Sequence, residues 1–94
     1  MRVLLEPVSG TAEETLTRAR VEIDRALNFR GSVTDVKAKG TRIIVQFDIN
    51  PKWDLPEFEK VKSLKEWIPA KVRTVFKVHE VSTTFKQAHN KGEQ

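Results

Sequence analysis

Ser32 to Ile49 reads SVTDVKAKGTRIIVQFDI, and the way this stretch folds decides the arrangement of everything around it. Apolar residues alternate on both sides of Lys39-Gly40, with Val36 and Ala38 before it and Ile43, Val45 and Phe47 after it. Alternation at a period of two marks strands with one buried face, and a glycine supplies the positive φ that a tight turn needs. The stretch is therefore expected to be a hairpin with Lys39-Gly40 as its loop. That loop pairs Ala38 with Thr41, Val36 with Ile43, Thr34 with Val45 and Ser32 with Phe47, so the inward sets agree. A slip of one residue would turn Val36 away from Ile43. In this register Lys37 also stands directly opposite Arg42.

Each side of the hairpin predicts a helix and a strand. Upstream, Thr11-Ala-Glu-Glu14 has the capping-box form, and Ala12, Leu16, Ala19, Ile23, Ala26 and Leu27 recur at spacings that put them on one helical face. Downstream, Asn50-Pro51 breaks the strand, and Asp54-Leu-Pro-Glu57 has the form of a second capping box, with Pro56 in the first turn. Trp53 is expected to pack on Phe58 as a hydrophobic staple. Phe58, Val61, Leu64 and Ile68 then form the predicted inward stripe until Pro69 stops the helix. Arg2 to Val8 reads as a first strand with Val3 and Leu5 on one side and Pro7 ending the ladder. Val72 to about Phe85 reads as a last strand with Thr74, Phe76 and Val78 inward. Val81 falls on the opposite phase, so a bulge or bend is expected near Glu80.

The predicted order is β-α-β-β-α-β. Two right-handed β-α-β halves joined by a hairpin give an α+β, ferredoxin-like domain, with a four-stranded antiparallel sheet and both helices on one face. The strand order expected is fourth, first, third, second. This single domain covers residues 1–86, and residues 87–94 form a polar tail expected to be disordered.

Composition narrows the function classes. A chain of 94 residues has room for one modest core and little room for a deep active site. No apolar run approaches the roughly 20 residues that span a bilayer, and MRVLLEPVSG is too short an apolar run to act as a secretory signal, so a cytoplasmic protein with no membrane partner is expected. Cysteine is absent, which excludes disulfides, thiolate metal sites and cysteine nucleophiles. Lysine and arginine number 17 against 13 acidic residues, and the excess is carboxy-terminal, with 8 basic and 3 acidic side chains from residue 60 onward. A positive surplus steers anionic partners toward the chain.

The sheet face without helices is where function is expected. By strand parity it displays Arg2, Leu4 and Glu6, then Val33, Asp35, Lys37 and Lys39, then Arg42, Ile44, Gln46 and Asp48, and finally Arg73, Val75, Lys77 and His79. Arg2, Lys37, Lys39, Arg42, Arg73 and Lys77 are the candidate phosphate contacts, giving sequence-independent, salt-sensitive affinity for nucleic acid. Leu4, Ile44 and Val75 are expected to form an aliphatic row, a candidate protein interface or homodimer contact, and an exposed Trp67 beside Lys60 and Lys71 on the second helix is a separate candidate partner contact. An acidic protein surface would suit the same basic face. Lys37 to Phe47 resembles, in its basic residue and glycine ahead of aliphatic and aromatic ones, the RNA-reading strand of RNA-recognition domains. Those domains stack bases on outward aromatics, whereas Arg42, Ile44 and Gln46 are outward here and Phe47 is inward, so backbone-directed binding is expected and base stacking on the sheet is not.

Nothing in the sequence builds a catalytic centre. His79 has no serine, cysteine or second histidine at a partnering distance along the chain, and His89 belongs to the tail. Glu6, Asp35, Asp48 and Glu80 are hard oxygen donors of the kind magnesium takes, but they are scattered over different strands and strand ends. Ser9-Gly10-Thr11 lacks the repeated glycines and lysine of a phosphate loop. A non-enzymatic binding module without metal or cofactor is the expectation, its open face engaging nucleic-acid backbone or, alternatively, another protein or its own copy.

Overall fold

The computed structural model describes residues 1–82. The predicted strand end at Phe85, His89 and the tail Gln87 to Gln94 lie outside the described residues. Within them the elements are β1 (Arg2–Pro7), α1 (Leu16–Leu27), β2 (Gly31–Lys39), β3 (Arg42–Ile49), α2 (Glu57–Val72) and β4 (Phe76–Ser82). The four strands form one antiparallel sheet in the order β2-β3-β1-β4, which from the other edge is fourth, first, third, second. Val3, Leu5, Ile43, Val45, Phe47, Phe76 and Val81 from the sheet pack with Ala19, Ile23, Leu27, Leu64, Ile68 and Val72 from both helices in a single buried cluster. Among the described residues no helix is long and apolar enough to cross a membrane.

The capping box before α1 forms as expected from its sequence. The Glu14 amide donates to Thr11 Oγ1 and the Thr11 amide donates to Glu14 Oε1, both at 3.1 Å. These two bonds satisfy amides that no helical carbonyl can reach. They hold a single 3-10 turn, Glu13–Thr15, from which α1 continues.

The second helix departs from its expected form in three ways. Asp54 makes no cap; Pro56 occupies the N-cap position in extended geometry and Glu57 begins the helix. Phe58 is 74% exposed, and the buried stripe is instead Lys60, Leu64, Ile68 and Val72. Pro69 lies inside the helix, which runs on to Val72. Trp53 is buried, but it packs edge-on against Phe29, with ring centroids 6.4 Å apart, and so does not staple Phe58.

The hairpin turns one residue later than expected. Its loop is Gly40-Thr41, with Gly40 at φ +65°, and Lys39 pairs with Arg42. Glycine at the first loop position suits the turn whose twist matches the flanking strands, whereas a Lys39-Gly40 loop would have forced lysine into that place. Ala38 then faces Ile43 and Val36 faces Val45, and Lys37 lies across from Ile44, not Arg42. Inward parity survives because the pairing moves by two positions. A bulge at Thr34 then inverts the phase, so that Val33 packs on the core instead of facing outward.

In β4 the expected irregularity is present. Leu4 pairs with Glu80 and Leu5 with Val78, leaving His79 as the extra residue. Val81 is thereby returned to the buried side. The strand begins at Phe76, later than predicted, because α2 takes up the chain as far as Val72. Arg73 ends the helix and Val75 packs against the core, so neither residue lies on the open face.

Candidate anion-binding face

Strand register places the outward side chains in three rows across β2, β3, β1 and β4. The first is Lys39, Arg42, Glu6 and Lys77, with Arg42 beside Glu6 because Ile43 pairs with Leu5. The second is Lys37, Ile44, Leu4 and Glu80, and the third is Asp35, Gln46, Arg2 and Ser82. Five of the six predicted phosphate contacts thus share one face, Arg73 being the exception. Of the predicted aliphatic row, Leu4 and Ile44 stand directly opposite each other, and Val75 is elsewhere.

Charge on this face is uneven. Lys37, Lys39 and Arg42 crowd the hairpin end, where Lys39 and Arg42 are cross-strand partners, and all three are exposed. Like charges directly opposite each other on a sheet are unfavourable by a few tenths of a kcal/mol, which an anion between them would relieve. Among the described residues none of the three has a carboxylate within 4.0 Å. A hollow of about 340 Å³ opens beside them, with Leu4 and Ile44 among its lining residues, together with Arg2, Lys39, Arg42 and Glu80.

Glu6, the carboxylate nearest this corner in its row, already has a partner. His79 Nε2 lies 2.8 Å from Glu6 Oε1, so an ionised Glu6 accepts the imidazole N–H. That hydrogen bond holds the Glu6 carboxyl below its ordinary value against partial desolvation, and attraction to His79, Arg42 and Lys77 adds to it. His79 lies on the outward phase set by Lys77, the strand partner of Glu6, and the bulge at His79 then returns Val81 to the core. Sequence reading placed both residues on the face and missed their contact. The signal that could have found it was their shared outward phase on the neighbouring strands β1 and β4.

Trp67 sits at a different place from the face. Half-buried, it donates its indole N–H to Ala26 O at 2.6 Å, and the charged groups of Arg30 and Lys71 each lie 4.6 Å from its ring centroid. The Arg30 guanidinium also lies 4.7 Å from the Phe29 ring centroid and 5.8 Å from that of Trp53. Sequence reading did not find this cluster, because its members come from the α1–β2 junction, the loop before α2 and α2 itself. Among the described residues no three His, Asp or Glu side chains gather as a metal ion would require.

Compared with protein families, with curated proteins and with solved structures, the chain matches none.

Proposed function

We propose that the chain is a ferredoxin-like, non-enzymatic binding module whose open sheet face engages the phosphate backbone of nucleic acid. The observation that carries it is the corner of Lys37, Lys39 and Arg42, exposed and without an ion-pair partner among the described residues. The adjoining carboxylate Glu6 is hydrogen-bonded to His79 and so competes less for these cations than a free one would. Arg2 and Lys77 extend the cationic surface, and no aromatic faces outward from the sheet among the described residues, which favours contact with phosphates over contact with bases.

The alternative, a protein interface or homodimer through the aliphatic patch, loses support from the position of Val75. Leu4 and Ile44 alone are a small part of the roughly 800 Å² that each partner gives to a stable interface. Charge reversal separates the two. Lys39→Glu with Arg42→Glu is expected to abolish binding to a short single-stranded oligonucleotide in an anisotropy titration, while Lys62→Glu with Lys65→Glu, on the exposed side of α2, leaves most of it. Equal loss from both pairs would mean that binding follows net charge and not this face.

A further inference from the structure

Arg30 is held in an unusual way for a surface cation. Its guanidinium lies 4.7 Å from the Phe29 ring and 4.6 Å from that of Trp67, with Trp53 at 5.8 Å. Among the described residues no protein acceptor takes its N–H groups. A planar cation packed among aromatic rings, with donors that no described protein group accepts, is a preorganised fork for an oxyanion. Lys71, 4.6 Å from the same Trp67 ring, adds a second positive charge.

The neighbouring surface completes a different half of a ligand. Phe29 is 56% exposed, and it borders a hollow of about 500 Å³ that Arg30 does not line. Asp24, Asn28, Ser32, Asp48 and Asn50 contribute to that hollow, with Asp24 Oδ1 accepting the Val33 amide at 3.3 Å and its other oxygen left for a ligand. Exposed aromatic surface offers stacking to a planar heterocycle, and carboxylates accept from exocyclic amino groups. The local backbone fixes the arrangement. Asn28 takes φ +55° at the end of α1, and Asn50 ties the segment down by donating its side-chain N–H to Phe29 O and its backbone N–H to Arg30 O. Gly31 is required beside it, because a Cβ there would come within 2.4 Å of Asp48 O.

We propose that this junction is a nucleotide site, with the base stacked on Phe29 in the hollow and the phosphate held by the rim of Arg30 with Lys71. The carboxylates of Asp24 and Asp48 select amino-bearing bases over uracil. The ligand is a nucleotide, whether free or part of a single strand, and the site is separate from the cationic sheet face.

Trp53 and Trp67 are the only tryptophans and tyrosine is absent, so intrinsic fluorescence reports on this cluster alone. The full chain is titrated with cytidine monophosphate, uridine monophosphate, cytidine, inorganic phosphate and a short cytidine oligonucleotide. Cytidine monophosphate is expected to change tryptophan emission saturably, with uridine monophosphate about tenfold or more weaker. Tighter binding of the oligonucleotide assigns the site to a strand, and equal binding assigns it to the free nucleotide. Phe29→Leu removes stacking, and Arg30→Lys keeps the charge but removes the fork; each is expected to weaken binding about tenfold with the circular dichroism unchanged. The pair Lys39→Glu with Arg42→Glu is expected to leave the mononucleotide response intact, so that failure of the sheet-face reading and failure of this one are distinct. No saturable change, an equal response to phosphate alone, or no preference for cytidine over uridine monophosphate would overturn the proposal.

Discussion

Salt is the sharpest probe of the sheet face, because each phosphate neutralised by a cation releases counterions. For a single strand the slope of log affinity against log salt is about −0.7 per phosphate, so contacts from Lys37, Lys39 and Arg42 alone give about −2, and all five cations of the face give about −3.5. Between 50 and 200 mM salt, affinity should therefore fall by roughly 20-fold to 130-fold. Replacing Lys39 and Arg42 by Gln should make the slope shallower by about 1.4, whereas Arg73→Gln should barely change it, since Arg73 ends α2 away from the face. Lys77 is an intermediate case, because it pairs across the strands with Glu6. The assay is anisotropy of a labelled oligonucleotide at a series of salt concentrations with each variant. A wild-type slope shallower than about −1, or an equal change on losing Arg73, would refute the assignment of phosphate contacts to this surface.

Two further predictions follow from the packing and the Glu6–His79 hydrogen bond. Phe58→Ala should change stability by no more than about 0.5 kcal/mol in chemical denaturation, whereas Ile68→Ala should cost about 2–5 kcal/mol; comparable losses would mean that Phe58 is packed inside. The Glu6 carboxyl titrates below the ordinary glutamate value, so its contact with His79 contributes stability above the usual carboxylate range and loses it as pH falls through the lowered value. A carboxyl titration by NMR should find the Glu6 midpoint low and find it raised in His79→Ala; an unchanged midpoint in that variant would remove the hydrogen bond as its cause.

That a hairpin and α1 form was legible because their signals are local, although the turn fell one residue beyond the loop the sequence indicated. Alternation around Gly40 and the capping box at Thr11 each specify their own few residues, and tertiary packing agrees with both. In α2 local rules and packing disagreed. A proline inside a helix costs about 3 kcal/mol, yet Ile68 and Val72, on either side of Pro69, are both fully buried, and burying each such side chain contributes about 1.5–3 kcal/mol. The last turn therefore persists. Its phase also differs from the one that apolar residues alone imply. Spacings of four link Lys60, Leu64, Ile68 and Val72, and the first member is a lysine that buries its methylene stem, so the stripe was hidden behind a charged residue name while Phe58 drew attention to the wrong face.

The site was legible in outline for the same reason that its details were not. Parity put five of the six candidate cations on one surface, but which of them are neighbours depends on where the chain gains an extra residue. His79 announces its bulge through the displaced phase of Val81, and Thr34 carries the same marker, since Val33 falls on the opposite phase from Val36 yet packs on the core; it was passed over because a single outward apolar residue is ordinary. The two bulges have a common consequence. β2 and β4 are the sheet's edges, and each carries one, together with lysines at positions 37, 39 and 77. Bulges and charges on edge strands oppose the addition of a further strand. With both edges blunted and the opposite side covered by α1 and α2, a partner that uses the sheet meets it through its outward side chains. On that surface the proposed anion contacts are the cations at the hairpin end, which have no ion-pair partner among the described residues, and the two aliphatics beside them are the smaller feature.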